Sequence, residues 1–507
     1  MDLNTEKQSI TICEKLREET IEQSIDNEIM LTDYCPDIAR ILKCSANSKI
    51  VNQKISRSTL SLDGNLYLTI LYVDENGQIR SFEQPLSYYR EIDLKSENVS
   101  DAVISSKLDY LNCRAVTPRK IEVHGSLTIC AKLYACNTVE LMSNVKDDCI
   151  QLDMLSENIT NYLGSTERHI TLNDEYELKS DEKSISYILR SEALVIKEEN
   201  KVMDGKVVVK GEARITCYYC TDVKLRIDKA IIAIPFTQII DMQNVDEGSD
   251  CNATLNVTSV DVRPRTGSDG EVRNIVASVG INIKLTATKN SEINVIKDAY
   301  SIGYEIENNV DNLALQHKSM RINESFDSRN TVDLPRDISS VNDLWCELLS
   351  LNTLQESSDL KVKGVVQYSL VVCDTDSSPV YYEKSVEFEH TIRADLNNRI
   401  EFNPNVSITD LNYKLVDNTT VDISAKISIE GDVYETSNIS FINNIQIKEE
   451  KKGESQAPLT VYYAHSGENV FQIARKYNTT LEAVKNANKI SENELSSDMM
   501  LLIPAFR

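Results

Sequence analysis

Cys217-Tyr218-Tyr219-Cys220 is the only pair of thiols spaced closely enough to share a metal or a redox cycle. A structural zinc site needs a second such pair, or two histidines at matching spacing, to complete four ligands. The five histidines, His124, His169, His317, His390 and His465, are scattered with no i,i+4 pair. A redox CxxC opens a helix, whereas this one lies in an alternating pattern that places residues three apart on opposite faces of a strand. Its expected role is structural, because buried thiols behave as small apolar groups. There is no Gly-x4-Gly-Lys-Ser/Thr phosphate loop and no Gly-x-Ser-x-Gly elbow. The chain reads as non-enzymatic, with no catalytic residue, no metal site and no cofactor.

The residues best placed to recognise a partner lie between 460 and 504, a stretch that reads as strand, helix, helix, strand. Thr460–Ala464 is β-branched and aromatic, and His465-Ser466-Gly467 breaks the run. Asn469 is positioned to cap a first helix, with Gln472 answering it, and Val470, Ile473, Ala474 and Tyr477 share a helical face. Thr479 and Glu482 repeat the capping pattern ahead of Leu481, Val484 and Ala487. Met499–Ile503 is a closing strand and Pro504 ends it. Phe471 falls at the margin of the apolar face, which leaves it either in the core beside Tyr477 or on a partner surface. Asn488 is expected to fix the turn after the second helix. Arg475, Lys476 and Lys485 predict a locally basic helical surface.

This stretch resembles a LysM domain, through Tyr463, Gly467, Phe471, Ile473-Ala474, Tyr477, Leu481, Val484, Asn488, Leu495 and Leu502-Ile503-Pro504. The resemblance implies a groove between two loops that takes N-acetylglucosamine-containing glycans. His465, Gly467, Glu468, Asn469, Phe471, Lys485, Asn488 and Asp498 are the groove or partner-binding candidates. Two positions depart from the family. Its usual Gly-Asp-Thr is Gly467-Glu468-Asn469 here, and its usual glycine before the last strand is Asp498.

Composition narrows the partner. A net charge of −25 over 507 residues disfavours nucleic acid and anionic membrane surfaces. The N-terminal MDLNTEKQSITICEKLREETIEQ has no apolar core of seven or more residues, so no secretory signal is expected, and no apolar run approaches the roughly 20 residues of a membrane span. A cytosolic chain is expected, with its twelve cysteines reduced.

One pattern recurs three times. Ile38, Ile185 and Ile338 each precede a glycine by 26 residues, and Gly64, Gly211 and Gly364 each sit inside a period-two strand. A glycine there predicts a bulge or a sharp bend. Segments 120–129, 274–283 and 420–429 align as a second shared strand, and Pro118-Arg119 and Pro264-Arg265 align in a turn that the third copy lacks. Short strands with polar turns give a mainly β chain: three tandem antiparallel sandwich- or barrel-like modules and a small βααβ LysM domain. The expected divisions are a leader at 1–28, read as a helix or loose segment, modules at 29–165, 166–310 and 311–447, a charged linker at 448–458 and the LysM-like domain at 459–507.

The repeat resembles the SPOCS domain, through Tyr34-Cys-Pro-Asp37-Ile-Ala-Arg-Ile-Leu42, the strand from Gly64 to Asp74, and Thr117-Pro-Arg-Lys120. Tandem SPOCS repeats ending in one LysM domain imply a sporulation role. The protein would act in the mother-cell cytosol at the forespore surface, and its LysM-like end would dock onto the coat base-layer ATPase, stage IV sporulation protein A. Other coat proteins and self-association are further partners the resemblance leaves open. The departures in the loops agree with a LysM domain turned to protein binding. The alternative is an envelope protein that binds peptidoglycan or a related glycan.

Overall fold

Alternating apolar and polar residues fill most of the chain, and in the computed structural model they form long antiparallel strands. The structure describes residues 3–95, 98–223, 225–267, 270–396, 398–450 and 458–505. The first six strands are β1 (Thr5–Met30), β2 (Ile38–Ile55), β3 (Thr59–Asp74), β4 (Ile79–Asp93), β5 (Asp101–Thr117) and β6 (Lys120–Val145). They pair as two sheets, β1-β6-β5 and β2-β3-β4. The set recurs as β7 (Ile150–Glu177), β8 (Tyr187–Met203), β9 (Lys206–Cys220), β10 (Ile227–Asp241), β11 (Asp250–Thr266) and β12 (Val272–Ser301), in sheets β11-β12-β7 and β10-β9-β8. It recurs again as β13 (Tyr304–Asp333), β14 (Ile338–Glu356), β15 (Asp359–Asp374), β16 (Pro379–Ile392), β17 (Arg399–Phe402), β18 (Asn405–Leu415) and β19 (Thr420–Glu450), where β17 and β18 together replace one strand. Each pair of sheets encloses its own apolar core, so the units are sandwiches with no closed barrel.

The inner faces follow the aligned repeats. Ile121, Val123, Leu127 and Ile129 in β6 are fully buried, as are Ile275, Ala277, Val279, Ile281 and Ile283 in β12 and Val421, Ile423, Ala425, Ile427 and Ile429 in β19. Each buried Val, Leu or Ile contributes about 1.5–3 kcal/mol relative to exposure, which is why these strands are fixed in register.

The 1–28 leader is corrected. Residues 5–30 are not helical: they form β1 and pair with β6 along its whole length. The expected divisions at 165 and 310 likewise fall inside β7 and β13, and the strand groups part instead at 146–149 and 302–303. The cause is one bulge. The pairing skips Leu16 in β1, Leu163 in β7 and Ser319 in β13. Before the skipped residue Ile10 and Ile12, Ile159, and Leu315 face a core shared by all three units. After it Ile25 and Ile29, Ile170 and Leu172, and Ile322 and Val332 face the core of their own sandwich. An extra residue reverses which face the following side chains occupy, so alternation breaks where the strand changes cores. Of the linker expected at 448–458, residues 448–450 end β19, and 451–457 lie outside the described residues.

The long strands therefore run out of their sandwiches as three two-stranded ribbons that pack on one another. Their shared core joins Ile10, Ile12 and Leu141 of the first unit, Ile159, Ile293 and Val295 of the second, and Leu315, Ile439 and Phe441 of the third. A second layer adds Met142 and Val145, Ile296 and Ala299, and Ile442 and Ile445. Leu71 and Ile79, Leu189 and Cys220, and Val371 meet in a further three-way contact. There Arg190 of β8 is bound by Asp343 of β14 at 2.8 and 2.9 Å and stacks over Tyr218 and Trp345. Lys43 of β2 likewise reaches Glu383 of β16 at 2.6 Å.

The repeated glycines serve close approach, not a bend in their own strand. Gly64, Gly211 and Gly364 stand directly opposite Tyr88, Phe236 and Phe388. The aromatic ring covers the glycine, and a Cβ at Gly364 would lie 2.6 Å from the Phe388 ring and 2.7 Å from the Ser350 carbonyl. The bulges lie in the neighbouring strands, around Ile50, Lys197 and Leu348.

Cys217 is buried in the sandwich core and Cys220 in the three-way contact, and burial pushes their thiols up to about 12 and about 11. Cys13 is bonded to its ladder partner Cys136, and Cys44 to Cys113, where reduced thiols were expected. Sequence separations of 123 and 69 residues hid those neighbours. Pro118-Arg119 and Pro264-Arg265 do not correspond: the first lies in the β5–β6 turn and the second inside β11. Arg119 instead binds Asp37 at 2.6 Å and the Cys35 and Thr32 carbonyls. Its counterpart is Arg273, which holds the Lys179 and Glu182 carbonyls.

Candidate interaction site

From residue 458 onward the chain forms β20 (Leu459–Ala464), α1 (Val470–Lys476), α2 (Leu481–Asn488) and β21 (Met499–Pro504). β20 and β21 pair antiparallel, and both helices cover one face of the ribbon. Ala464, Val470, Phe471, Ile473, Ala474, Val484, Leu495, Leu501 and Ile503 make the core. Asn469 caps α1 by accepting from the Phe471 N–H at 2.7 Å. Thr480, one residue beyond the expected Thr479, caps α2 by accepting from the Ala483 N–H at 3.1 Å. Thr479 is buried and donates to the Pro504 carbonyl at 2.7 Å. Ala487 is exposed, off the expected apolar face.

The two groove loops, 465–469 and 489–498, are stitched to each other. Gly467, at φ +89°, donates its N–H to the Leu495 carbonyl at 2.8 Å, and Leu495 returns an N–H to the Glu468 carbonyl at 3.0 Å. Val470 N–H reaches the Asn493 carbonyl at 2.8 Å. Asp498 accepts from the Ser466 N–H at 2.8 Å, and His465 lies 3.5 Å from its other oxygen. The Ser466 N–H first, and His465 second, hold the Asp498 carboxyl below the usual range. Glu468 accepts from the Tyr462 hydroxyl at 3.2 Å.

Three candidates turn out to be tied down inside the domain. Asn488 donates to the Val484 and Leu502 carbonyls and accepts from the Leu502 N–H at 2.7 Å, which pins α2 to β21. Lys485 binds the Ser491 carbonyl and Asn493, closing the second loop. Phe471 is 1% exposed, so its placement on a partner surface is corrected. Sequence periodicity could not show what covers it, because the cover comes from another part of the chain.

That cover is the end of β12. The Tyr300 ring meets Phe471 edge-on at 4.9 Å, and its hydroxyl donates to the Thr479 carbonyl at 2.7 Å. Asp298 accepts from Arg475 at 2.8 and 3.0 Å and from Gln472 at 2.9 Å. Asn478 donates to the Ile302 carbonyl and the Leu481 N–H to Gln151. The expected basic helical surface is thus largely consumed: Arg475 is paired, Lys485 closes a loop, and Lys476 lies over the Tyr462 and Tyr477 rings. Gln472, expected to answer the Asn469 cap, donates its side-chain amide to Asp298.

The outward side of the ribbon stays open. Leu459, Val461, Tyr463 and Met500 are 51%, 49%, 73% and 52% exposed, and Tyr463 stands directly opposite Met500. None of them was singled out as a partner-facing residue, although the alternation Leu459, Val461, Tyr463 marks a second apolar face. Elsewhere, His124, His390 and His465 each meet a carboxylate in a different part of the chain. Among the described residues no group of three or more His, Cys, Asp or Glu side chains is placed to hold a metal, and no helix is long and apolar enough to cross a membrane.

Residues 37–116 and 184–264 match the model for the SPOCS domain of SipL, and residues 462–504 match the LysM domain model. The SPOCS segments correspond to β2–β5 and β8–β11, the same four strands of the first two units. Both models describe binding or adaptor domains. No curated protein matches the chain. Over these segments the chain is similar to the SipL SPOCS domain and to LysM domains, which is the signature of a sporulation-related adaptor with a LysM module.

Proposed function

We propose that the protein is a non-enzymatic adaptor of spore coat assembly. It acts in the mother cell at the forespore surface and docks through its LysM domain onto the coat base-layer ATPase, stage IV sporulation protein A. The observation that carries this reading is the open apolar face of the β20–β21 ribbon, centred on Tyr463 and Met500. An exposed aromatic beside a flexible thioether on a two-stranded support is the composition of an anchor for a protein interface. The exposed rim residues His465, Gly467 and Asp498 border it. Co-purification of the full-length chain with the coat ATPase tests the reading. Tyr463→Glu is expected to abolish capture while leaving the folded chain intact, and unchanged capture overturns the assignment.

The LysM match itself favours a second reading, a peptidoglycan or N-acetylglucosamine-glycan binder. Against it, the Gly467, Glu468 and Leu495 main-chain groups are spent on one another. Sedimentation with insoluble peptidoglycan or chitin separates the two. Retention lost on Glu468→Ala would favour the glycan.

A further inference from the structure

The threefold repeat supplies an internal control for reading its own surface. The outer strands β4, β10 and β16 can be aligned on the aromatic that covers each glycine, Tyr88, Phe236 and Phe388. Five exposed positions then correspond. In β4 they are Glu83, Pro85, Ser87, Tyr89 and Glu91. In β16 they are Glu383, Ser385, Glu387, Glu389 and Thr391. In β10 they are Ile231, Ala233, Pro235, Thr237 and Ile239. Two strands carry acids there, as expected of a chain with a net charge of −25, and β10 carries none.

Ile231 and Ile239 are 47% and 56% exposed. Nothing in the core demands them, since β10 packs inward through Ala230, Ile232, Ile234 and Phe236. Charges on the adjoining strand are already neutralised: Lys210 by Glu199 at 3.0 Å, and Arg214 by Glu212 at 3.0 Å. The stripe is bounded by Lys229 at one end and Asp241 at the other. Asp241 is 87% exposed and only 3.8 Å from Lys206, its loose partner within the chain.

The order Lys, Ile, Ala, Pro, Thr, Ile, Asp at alternate positions is self-complementary about its centre. We infer that the exposed side of β10 is the contact between two copies of this chain, related by a two-fold axis at Pro235. Turned antiparallel, Ile231 of one copy faces Ile239 of the other, and Lys229 faces Asp241 at both ends. A two-fold contact requires such a patch, because the same residues must serve both sides. The choice of a second copy over another protein rests on that charge pattern, with opposite signs placed equidistant from an uncharged centre. Pro235 lacks an N–H, so the contact is one of side-chain faces and not a continued hydrogen-bonded ladder. The inference is independent of the LysM docking reading.

Sedimentation velocity of the full-length chain, from micromolar to hundreds of micromolar, tests it. The wild type is expected to show a monomer–dimer equilibrium. Ile231→Glu and Ile239→Glu should each raise the midpoint about tenfold or more, with circular dichroism and melting unchanged at these exposed positions. Lys229→Glu should weaken the dimer, because it sets two acids against each other. Combining it with Asp241→Lys should restore the dimer to within about threefold of the wild type. A chain that stays monomeric throughout overturns the inference and leaves the stripe to a different protein. So does a dimer indifferent to both isoleucine changes, or a charge exchange that fails to restore what Lys229→Glu removes.

Discussion

Tyr300 covers Phe471. Through this one edge-on contact at 4.9 Å the end of β12 completes the core of the C-terminal domain. The domain is seated through α1 on the second unit, where Asp298 also holds Arg475 and Gln472. Tyr300→Ala removes the ring and the hydrogen bond to Thr479, and should cost the docked state about 3 kcal/mol. Tyr300→Phe keeps the ring and should cost about 1 kcal/mol. Hydrogen exchange of the α1 amides would read both. Equal protection in wild type and Tyr300→Ala would show that the contact does not hold the domain.

The glycine–aromatic pairs predict a directional result. Gly364→Ala should destabilise the third sandwich by about 1–3 kcal/mol, because its methyl group meets both the Phe388 ring and the Ser350 carbonyl. Combining it with Phe388→Leu should recover part of that loss. Urea denaturation of the full-length chain measures both.

Asp343 is 4% exposed and Arg190 is its partner across the second and third units. Asp343→Ala removes the buried, two-pronged partner of the guanidinium and leaves it only the half-exposed Glu192, which should cost about 2–4 kcal/mol. Replacing the pair together, as Arg190→Met with Asp343→Leu, should restore most of it. A double variant as unstable as the single one would show that the pair itself, and not the stranded charge, sets the cost.

Asp498 supplies a pH test. Its carboxyl is held below the usual range, so it stays ionised at neutral and mildly acid pH, and the loop contact is fully present above the ordinary value of about 4. The contact is lost as pH falls through the depressed value, since the more acidic group releases its proton more readily in the folded state. The Ser466 amide resonance should follow this transition. In Asp498→Asn, whose amide oxygen still accepts, it should not move with pH over that range.

The sequence made the sandwich interiors readable, because inner residues such as Ile121, Val123, Leu127 and Ile129 recur at period two with no interruption. It hid β1, because the skipped Leu16 exchanges the faces of the strand in mid-course. Heavily charged outer positions between Cys13 and Glu22 then masked both halves. The helical caps and core of the C-terminal domain were legible from local spacing, to within one residue at Thr480. What Phe471, Arg475 and Gln472 touch was not, because Tyr300 and Asp298 lie more than 150 residues earlier and no local periodicity records a tertiary neighbour. The disulfide partners were lost for the same reason.

The shared ribbon core also limits how this architecture can change in length. Linear arrays of repeats grow or shrink by whole copies, because each copy touches only the ones before and after it. Here every unit contributes to a single shared core, to which Ile10, Ile159 and Leu315 each belong. A fourth copy would find no vacant side, and removing one would lay bare two-thirds of a core built for three. The copy number is thereby fixed by geometry, and duplication or loss of a repeat is open to selection against misassembly from the moment it arises.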